Sequence, residues 1–190
     1  DSSAASDVYK RQLLKRSFKK RKLQFQIYSI FNAECDGGYM SFLKVGDKAP
    51  DFQLKNQREE TICLDSYSHK SNIVLYFYPK ASTPGCTVQA CSLRDTYADF
   101  KYLNTEIIGI SPDLSKKLLN FENKQNLNFN LLSDPEHKIA ETYGVWGLKK
   151  FMGREFMGII RSTFIIDKSG IVRHVMPKVN TKTHHEDALL

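Results

Sequence analysis

The sequence lacks three features that would place it in common classes of protein. No apolar run approaches the length of about 20 residues that spans a bilayer. No two cysteines have the C-x-x-C spacing of zinc ribbons and redox dithiols. The five histidines form no metal-binding spacing with the cysteines. The sequence therefore gives no support to a membrane-spanning, zinc-ribbon or dithiol protein.

Cysteine is scarce, and the chain contains only Cys35, Cys63, Cys86 and Cys91. Four cysteines would suit a disulfide framework in a small secreted domain, but the sequence shows no secretory signal pattern. Its 190 residues are enough for one domain with a substantial core plus an appendage. We therefore expect reactive or incidental thiols, and we predict that Cys63 packs in the core because its neighbours are apolar.

The excess of positive charge is concentrated near the N-terminus. Residues 1–39 hold eight Lys and Arg against four acidic residues, whereas residues 40–190 hold 20 against 17. The body is therefore close to charge balance and gives no reason to expect nucleic acid as its partner. With 41% hydrophobic and 26% charged residues, the composition is that of a globular protein.

We interpret residues 1–39 as a basic extension, disordered or not native, and residues 40–190 as the folded domain. The extension fits an organelle transit peptide, a nuclear address at residues 19–22, or sequence translated upstream of a true start at Met40. We favour the third interpretation, which predicts a cytoplasmic protein, whereas the first two predict an organelle or the nucleus. Cys35 lies in this segment and is assigned no role.

Strands and helices are predicted to alternate along residues 40–190. The predicted strands cover residues 51–55, 61–64, 73–78, 106–111, 129–132, 162–167 and 171–176, with hairpins between the first two and between the last two. Helices are predicted over residues 114–123, 136–143 and 184–190, and the last stops without a cap, as a truncated helix would. This order predicts an α/β fold that resembles the thioredoxin fold with an added N-terminal β-hairpin.

One segment, PKASTPGCTVQAC at residues 79–91, joins a strand to a further helix. Pro79 ends the preceding strand because proline cannot donate to the ladder. Thr83 is a good helix N-cap and Pro84 suits the first helical position, so we predict a helix that runs through about Phe100. Its predicted inward face comprises Ala90, Leu93, Tyr97 and Phe100.

This arrangement places Cys86 in the first turn of a helix, at the carboxyl end of a strand. Unpaired backbone N–H groups and the positive end of the helix dipole meet there, and both favour a thiolate over a thiol. A thiolate in that position can attack an electrophile, for which a peroxide oxygen is one candidate. The alternative is that Cys86 is a small buried hydrophobe, which is the commonest fate of a free cysteine.

Cys91 lies five residues after Cys86. In a continuous helix this spacing separates the two Cα atoms by about 8–9 Å, beyond the limit of roughly 7 Å for a disulfide. If Cys86 were oxidised to a sulfenic acid, Cys91 could condense with it only after the segment unwinds. The alternative is that Cys91 only packs against its neighbours or faces solvent.

The segment resembles the active-site signature of the peroxiredoxins, P-x-x-x-T-x-x-C, from Pro79 to Cys86. The longer pattern T-P-G-C-T-x-x-A-C, from Thr83 to Cys91, resembles the Q-type subfamily, also called the bacterioferritin-comigratory type. The likeness extends from about residue 42 to residue 190. It includes VGDKAPDF at residues 45–52, YGVWGLKKFMG at residues 143–153 and RSTFIID at residues 161–167.

The resemblance implies a peroxidase that reduces hydrogen peroxide and organic hydroperoxides without metal, haem or flavin. It implies an atypical two-cysteine mechanism in which Cys86 is the peroxidatic residue and Cys91 is the resolving residue. The Cys86–Cys91 disulfide would then be reduced by thioredoxin or a glutaredoxin-like partner. Relatives of this type are monomers or dimers, and the resemblance implies no membrane partner.

Four further residues are expected at the site. Arg161 matches the active-site arginine of the family, whose guanidinium can hold the thiolate and donate to a peroxide oxygen. Without the resemblance, Arg161 would be an ordinary charge at the end of a strand. Thr83 is expected to bring its hydroxyl beside the sulfur, to cap the helix, or both. Pro79 belongs to the signature itself, and Pro84 is expected to shield the thiolate from water.

Other polar and aromatic residues remain open to two interpretations. Gln89, one turn after Cys86, either hydrogen-bonds near the site or is merely polar surface. Trp146 and Phe151 are expected in a loop before Arg161, where they pack over the pocket or fill the core. The adjacent His184 and His185, at a helix start, are expected to be exposed.

Two rival functions stand beside the peroxidase. A disulfide reductase or chaperone on the same fold would attack protein disulfides, but the C-x4-C spacing and the pair Thr83 and Arg161 disfavour it. A nucleic-acid-binding protein would use the basic residues 1–39 and leave the core idle. Insulin reduction, hydroperoxide consumption and salt-dependent DNA binding distinguish the three.

Overall fold

The computed structural model describes residues 42–151 and 153–189. The predictions for residues 1–39, including Cys35, the start at Met40 and the cellular compartment, lie outside the described residues. The side chain of Phe151 also lies outside them. Among the helices of the described ranges, none has the length and apolar character needed to cross a membrane.

The described elements comprise nine strands and five α-helices. The strands are β1 Gln53–Asn56, β2 Thr61–Cys63, β3 Asn72–Phe77, β4 Thr105–Ser111, β5 Asn130–Ser133, β6 Trp146–Phe151, β7 Arg154–Ile159, β8 Ser162–Ile166 and β9 Val172–Met176. The helices are α1 Pro84–Asp95, α2 Tyr97–Tyr102, α3 Ser115–Gln125, α4 Lys138–Thr142 and α5 His184–Leu189, and a short 3-10 helix covers Leu64–Tyr67. Every strand predicted from the sequence begins and ends within two residues of an observed one.

Seven of these strands form one mixed sheet in the order β2-β1-β5-β4-β3-β8-β9. Strands β3, β4 and β5 are parallel to one another. The N-terminal hairpin of β1 and β2 extends one edge by antiparallel pairing with β5, and β8 and β9 extend the other edge by antiparallel pairing with β3. The predicted α/β class, a thioredoxin-like core with an added N-terminal hairpin, is confirmed.

Strand β3 lies near the centre of the sheet and contributes to two hydrophobic cores. Ile73, Leu75 and Phe77 pack into the core on one face, whereas Val74 and Tyr76 pack into the core on the other. Each of these side chains is at most 2% exposed. A strand buried on both faces has no polar alternation, which explains the unbroken apolar run in the sequence.

The helix predicted through about Phe100 is instead two helices, α1 and α2, that meet at Thr96. The Thr96 hydroxyl donates to the Ser92 carbonyl at 2.9 Å, and side-chain bonds of this kind compete with the regular helical ladder. The inward face is otherwise as predicted: Ala90, Leu93 and Phe100 are buried and Tyr97 is half-buried. The helix that contains Cys86 and Cys91 therefore does not include the buried Phe100, which belongs to α2.

The prediction of a loop before Arg161 is also wrong, because β6 and β7 pair as a two-stranded antiparallel sheet. Glycines and lysines interrupt the apolar alternation here, so the sequence carries a weak strand signal. Trp146, at the start of β6, stacks on His137 with ring centroids 3.7 Å apart. Trp146 also packs against the core cluster that contains Phe77, which supports the core-filling interpretation.

Candidate active site

Cys86 is the third residue of α1, just beyond the carboxyl end of β3. The first bond of the helix runs from the Thr87 N–H to the Thr83 carbonyl at 2.9 Å. The N–H groups of Gly85 and Cys86 therefore precede the helical ladder and mark the positive end of the helix. The Cys86 side chain is 2% exposed, so this end of the helix acts on a sulfur that is shielded from bulk water.

Arg161 places a positive charge directly against this sulfur. Its Nη2 donates to Cys86 Sγ at 3.1 Å, and its Nη1 donates to Gln89 Oε1. Arg161 immediately precedes β8, whose Ser162 pairs with Phe77 at the end of β3. The antiparallel pairing of β3 and β8 thus brings together two residues that are 75 positions apart in the sequence.

Thr83 occupies the N-cap position, but its hydroxyl does not cap the helix. The hydroxyl donates to the Lys80 carbonyl at 2.9 Å, and α1 has no side-chain cap hydrogen bond. The prediction of side-chain capping is therefore wrong, because the hydroxyl instead closes the loop that precedes the helix. Pro84 takes the first helical position, as predicted. A role for Thr83 beside the Cys86 sulfur stays a prediction.

Pro79 ends the ladder of the central strand, as predicted. The last backbone bond before it runs from the Tyr78 N–H to the Ile110 carbonyl of β4 at 3.0 Å. Two residues further on, the Ala81 N–H donates to Asp113 Oδ2 at 2.5 Å. The loop between β3 and α1 is thus hydrogen-bonded to β4 and to Asp113, which follows β4.

Gln89 lies inside the molecule and is not polar surface. Its side chain is 0% exposed, and its Oε1 accepts the second guanidinium bond from Arg161. Its Nε2 lies 3.0 Å from Nδ1 of His184. The interpretation that placed Gln89 near the site is confirmed, and Gln89 links Arg161 to the C-terminal helix.

Cys91 shares α1 with Cys86 and is half-buried. Its thiol donates to Gln125 Oε1, at the end of α3, over 3.5 Å. Within the described residues, Cys63, Cys86 and Cys91 are all free thiols. Because α1 is a continuous helix, the two cysteines on it stay too far apart to bond. Cys63 is half-buried in β2, so its predicted place in the core is wrong.

A comparison with models of protein families identifies the family to which this chain belongs. The sequence model of the AhpC/TSA family matches residues 45–175. The chain is a peroxiredoxin of the AhpC/TSA family. The match covers most of the described chain, including β3, α1 and Arg161.

Named relatives define the branch of the family. Peroxiredoxin Bcp of Bacillus subtilis is 51% identical over 147 residues, which are 77% of this chain and 93% of that protein. A putative peroxiredoxin bcp of Haemophilus influenzae is 50% identical over 147 residues, 77% of this chain and 94% of that protein. The peroxiredoxin thus belongs to the Bcp, or Q-type, branch.

Solved structures agree with this assignment. A cysteine-to-serine mutant of Xanthomonas campestris peroxiredoxin Q superposes with a TM-score of 0.71 at 31% identity, covering 77% of this chain and 93% of that one. Peroxidoxin BcpB of Mycobacterium tuberculosis gives a TM-score of 0.69 at 33% identity, covering 77% and 94%. The peroxiredoxin therefore shares both sequence and fold with the Q-type branch.

His184 contradicts the expectation that both adjacent histidines are exposed. Its ring is 0% exposed, and its Nε2 lies 2.8 Å from Thr163 Oγ1 on β8. Helix α5 packs against α1, with Ala188 and Leu189 against the same core as Cys86. His185 is half-buried. The apolar pair one turn after His184 was the available sequence signal that this helix face turns inward.

The buried imidazole makes the stability of the peroxiredoxin depend on pH. Burial lowers the pKa of His184 from 6.5 to about 4; Asp187 opposes this shift, and Arg161 and His185 add to it. Between pH 6.5 and about 4, His184 is protonated in the unfolded chain but stays neutral in the folded chain. The contribution of the neutral His184 to the free energy of unfolding is therefore fully present above pH 6.5 and is lost as the pH falls to about 4. The loss amounts to about 3 kcal/mol in the free energy of unfolding.

Urea unfolding at several pH values tests this prediction. Carboxylates also titrate in this range, so the informative quantity is the difference between the protein and its His184→Asn variant. We expect the variant to lose less stability between pH 6.5 and 4, and we expect His69→Asn, a change at an exposed histidine, to match the unaltered protein. Equal pH slopes for the unaltered protein and His184→Asn would contradict the assignment.

Proposed function

We propose that this peroxiredoxin reduces hydrogen peroxide and organic hydroperoxides through Cys86, with Cys91 as the resolving thiol. The observation that carries the proposal is the 3.1 Å contact from Arg161 Nη2 to Cys86 Sγ at the start of α1. The positive end of the helix and the Arg161 guanidinium both meet the same buried sulfur. A solved Xanthomonas campestris relative is described by its alkyl peroxide reduction activity, which supports the same substrate class.

The first step is a displacement at a peroxide oxygen. The Cys86 thiolate attacks one oxygen of ROOH, the O–O bond breaks, and the departing RO⁻ takes up a proton to leave as an alcohol or as water. Sulfur is oxidised to a sulfenic acid while the peroxide is reduced. The Arg161 guanidinium donates to the oxygen on which negative charge develops.

The second step requires α1 to unwind. Condensation of the Cys91 thiol with the Cys86 sulfenic acid forms the S–S bond and releases water. Before the sulfurs can meet, Cys86 must leave Arg161 and Cys91 must leave Gln125. Because α1 ends at Asp95, this local unfolding need involve no more than the twelve residues of α1.

The cycle closes when an external dithiol reduces the disulfide. The family requires a peroxide substrate and a reductant, and we propose thioredoxin as the reductant, with a glutaredoxin-like protein as the alternative. The experiment is to follow consumption of hydrogen peroxide and of an organic hydroperoxide with each reductant in turn. Peroxide consumption without insulin reduction supports the proposal, whereas insulin reduction without peroxide consumption would favour the disulfide-reductase alternative.

Replacing Arg161 by methionine should slow the oxidation of Cys86. Methionine keeps the apolar length of the side chain but removes both guanidinium bonds, so we expect the second-order rate constant to fall about 100-fold. The rate constant of Arg161→Lys should lie between those of the unaltered protein and Arg161→Met. Lysine keeps the positive charge, but an ammonium cannot donate to Cys86 and Gln89 with the forked geometry of a guanidinium. Rapid quenching with an alkylating agent, followed by mass spectrometry, measures the rate.

Arg154→Met on β7 is the matched control, since Arg154 is exposed. We expect this variant to react at the rate of the unaltered protein. An Arg161→Met variant that folds normally and reacts as fast as Arg154→Met would show that the guanidinium does not assist the reaction.

A further inference from the structure

A buried chain of hydrogen bonds extends from the active-site arginine to the C-terminal helix. Arg161 donates to Gln89 Oε1, Gln89 Nε2 lies 3.0 Å from His184 Nδ1, and His184 Nε2 lies 2.8 Å from Thr163 Oγ1. The side chains of Gln89, His184 and Thr163 are all 0% exposed. Water is therefore excluded as a substitute partner, and each group depends on its neighbour in the chain.

The donor and acceptor roles along this chain follow from its first member. A guanidinium can only donate, so the amide oxygen of Gln89 faces Arg161 and its NH2 group faces His184. His184 Nδ1 must then accept, which places the ring proton on Nε2, where it donates to Thr163 Oγ1. Only the neutral ring satisfies both bonds, and burial of His184 lowers its pKa in the same direction.

The orientation of Gln89 matters because its amide is ambiguous by itself. If the amide rotated by half a turn, its NH2 group would face the guanidinium, and two donors would oppose each other. The acceptor at His184 Nδ1 favours the correct orientation, because the reversed amide would present an oxygen to it. Arg161 keeps both partners, Cys86 and Gln89, only while this orientation holds.

We propose that His184 is a positioning residue for peroxide reduction, which orients the Gln89 amide and thereby aims the Arg161 guanidinium at Cys86. The inference rests on the proposed function, since it concerns the rate at which Cys86 reacts with peroxide. It assigns to the C-terminal helix a part in the active site that the cysteine signature does not contain.

The test compares three substitutions in the full chain by the second-order rate constant for hydrogen peroxide at Cys86. His184→Leu keeps the bulk and removes both bonds, so we expect the reaction to slow about tenfold. His184→Asn retains an acceptor near the Nδ1 position and should restore most of the rate. His185→Leu, the same change at the adjacent half-buried residue, should react like the unaltered protein.

A purely structural role would give a different pattern. If His184→Leu reacted as fast as His185→Leu, or if His184→Asn were as slow as His184→Leu, the inference would be overturned. Should His184→Leu fail to fold, Thr163→Val provides the second variant, because it leaves Cys86, Gln89 and Arg161 unaltered. Removing the acceptor of the Nε2 proton should then slow the reaction a few-fold, and an unchanged rate would overturn the inference.

Failure of this inference is distinguishable from failure of the proposed function. If the unaltered protein and His185→Leu both left Cys86 unreacted with hydrogen peroxide, the proposed function would be wrong and the inference would fall with it. If both reacted and the His184 and Thr163 variants reacted equally fast, only the positioning role would be lost.

Discussion

Serine in place of Cys86 is expected to abolish peroxide reduction, with a loss of about 10⁴-fold or more in the thioredoxin-linked rate. A serine hydroxyl is not ionised at neutral pH and cannot form a sulfenic acid. The change is nearly isosteric, and the hydroxyl can still accept from the Arg161 guanidinium, so the fold is expected to survive. Peroxide consumption measured beside the thermal midpoint separates loss of chemistry from loss of structure.

Cys63→Ser is the matched control for this variant. Cys63 is a free, half-buried thiol on β2, the edge strand at the far side of the sheet from β8. The control should consume peroxide at the rate of the unaltered protein. Substantial activity in Cys86→Ser, or loss of activity in Cys63→Ser, would show that Cys86 is not the peroxidatic residue.

Replacing Cys91 by serine should separate the two halves of the cycle. Cys86 keeps its helix terminus and Arg161, so one equivalent of hydrogen peroxide should still be consumed at the normal rate. The sulfenic acid then has no thiol partner on α1, and thioredoxin-linked turnover should fall about 100-fold. A burst of one equivalent, with the sulfenic acid trapped by a carbon nucleophile, is the measurement.

The serine hydroxyl can still donate to Gln125, so this variant changes the chemistry with little change in packing. Undiminished turnover with thioredoxin would mean that the reductant attacks the sulfenic acid directly. In that case the resolving role of Cys91 would be wrong, although the peroxidatic role of Cys86 would stand.

The extent of α1 determines how much structure the cycle must disrupt. A helix running through Phe100 would couple disulfide formation to the release of a side chain that is 1% exposed. The break at Thr96 removes that cost, because the segment with both cysteines ends at Asp95. Unfolding confined to α1 releases Ala90 and Leu93 from the core that they share with Phe100, whereas Phe100 itself, on α2, need not move.

The sequence was sufficient to predict the strand, the turn and the helix start that hold Cys86. These elements depend on local features: an unbroken apolar run, Pro79 as its end, and Pro84 at the first helical position. The resemblance added Arg161, which lies 75 positions away, at a distance that no local pattern can bridge. Its contact with the sulfur comes from the register of β3 and β8.

The remaining parts of the site depend on tertiary packing. Gln89 and His184 both had an ordinary polar interpretation, since a single amide or a histidine at a helix start is commonly exposed. Only the packing of α5 on α1 shows that they meet inside the molecule. The prediction that Thr83 caps the helix was wrong for a related reason. The Thr83 hydroxyl donates to the Lys80 carbonyl instead, and nothing in the sequence shows that this contact forms.

Non-reducing peptide mapping after reaction with one equivalent of hydrogen peroxide tests directly whether Cys86 and Cys91 form the disulfide of the cycle. We expect untreated protein to yield Cys86 and Cys91 as separate free thiols, and treated protein to yield a cross-link between these two residues. Cys63 should stay reduced throughout. A different cross-link would contradict the resolving role of Cys91, and a Cys86 thiol left unmodified while peroxide is consumed would contradict the peroxidatic role of Cys86.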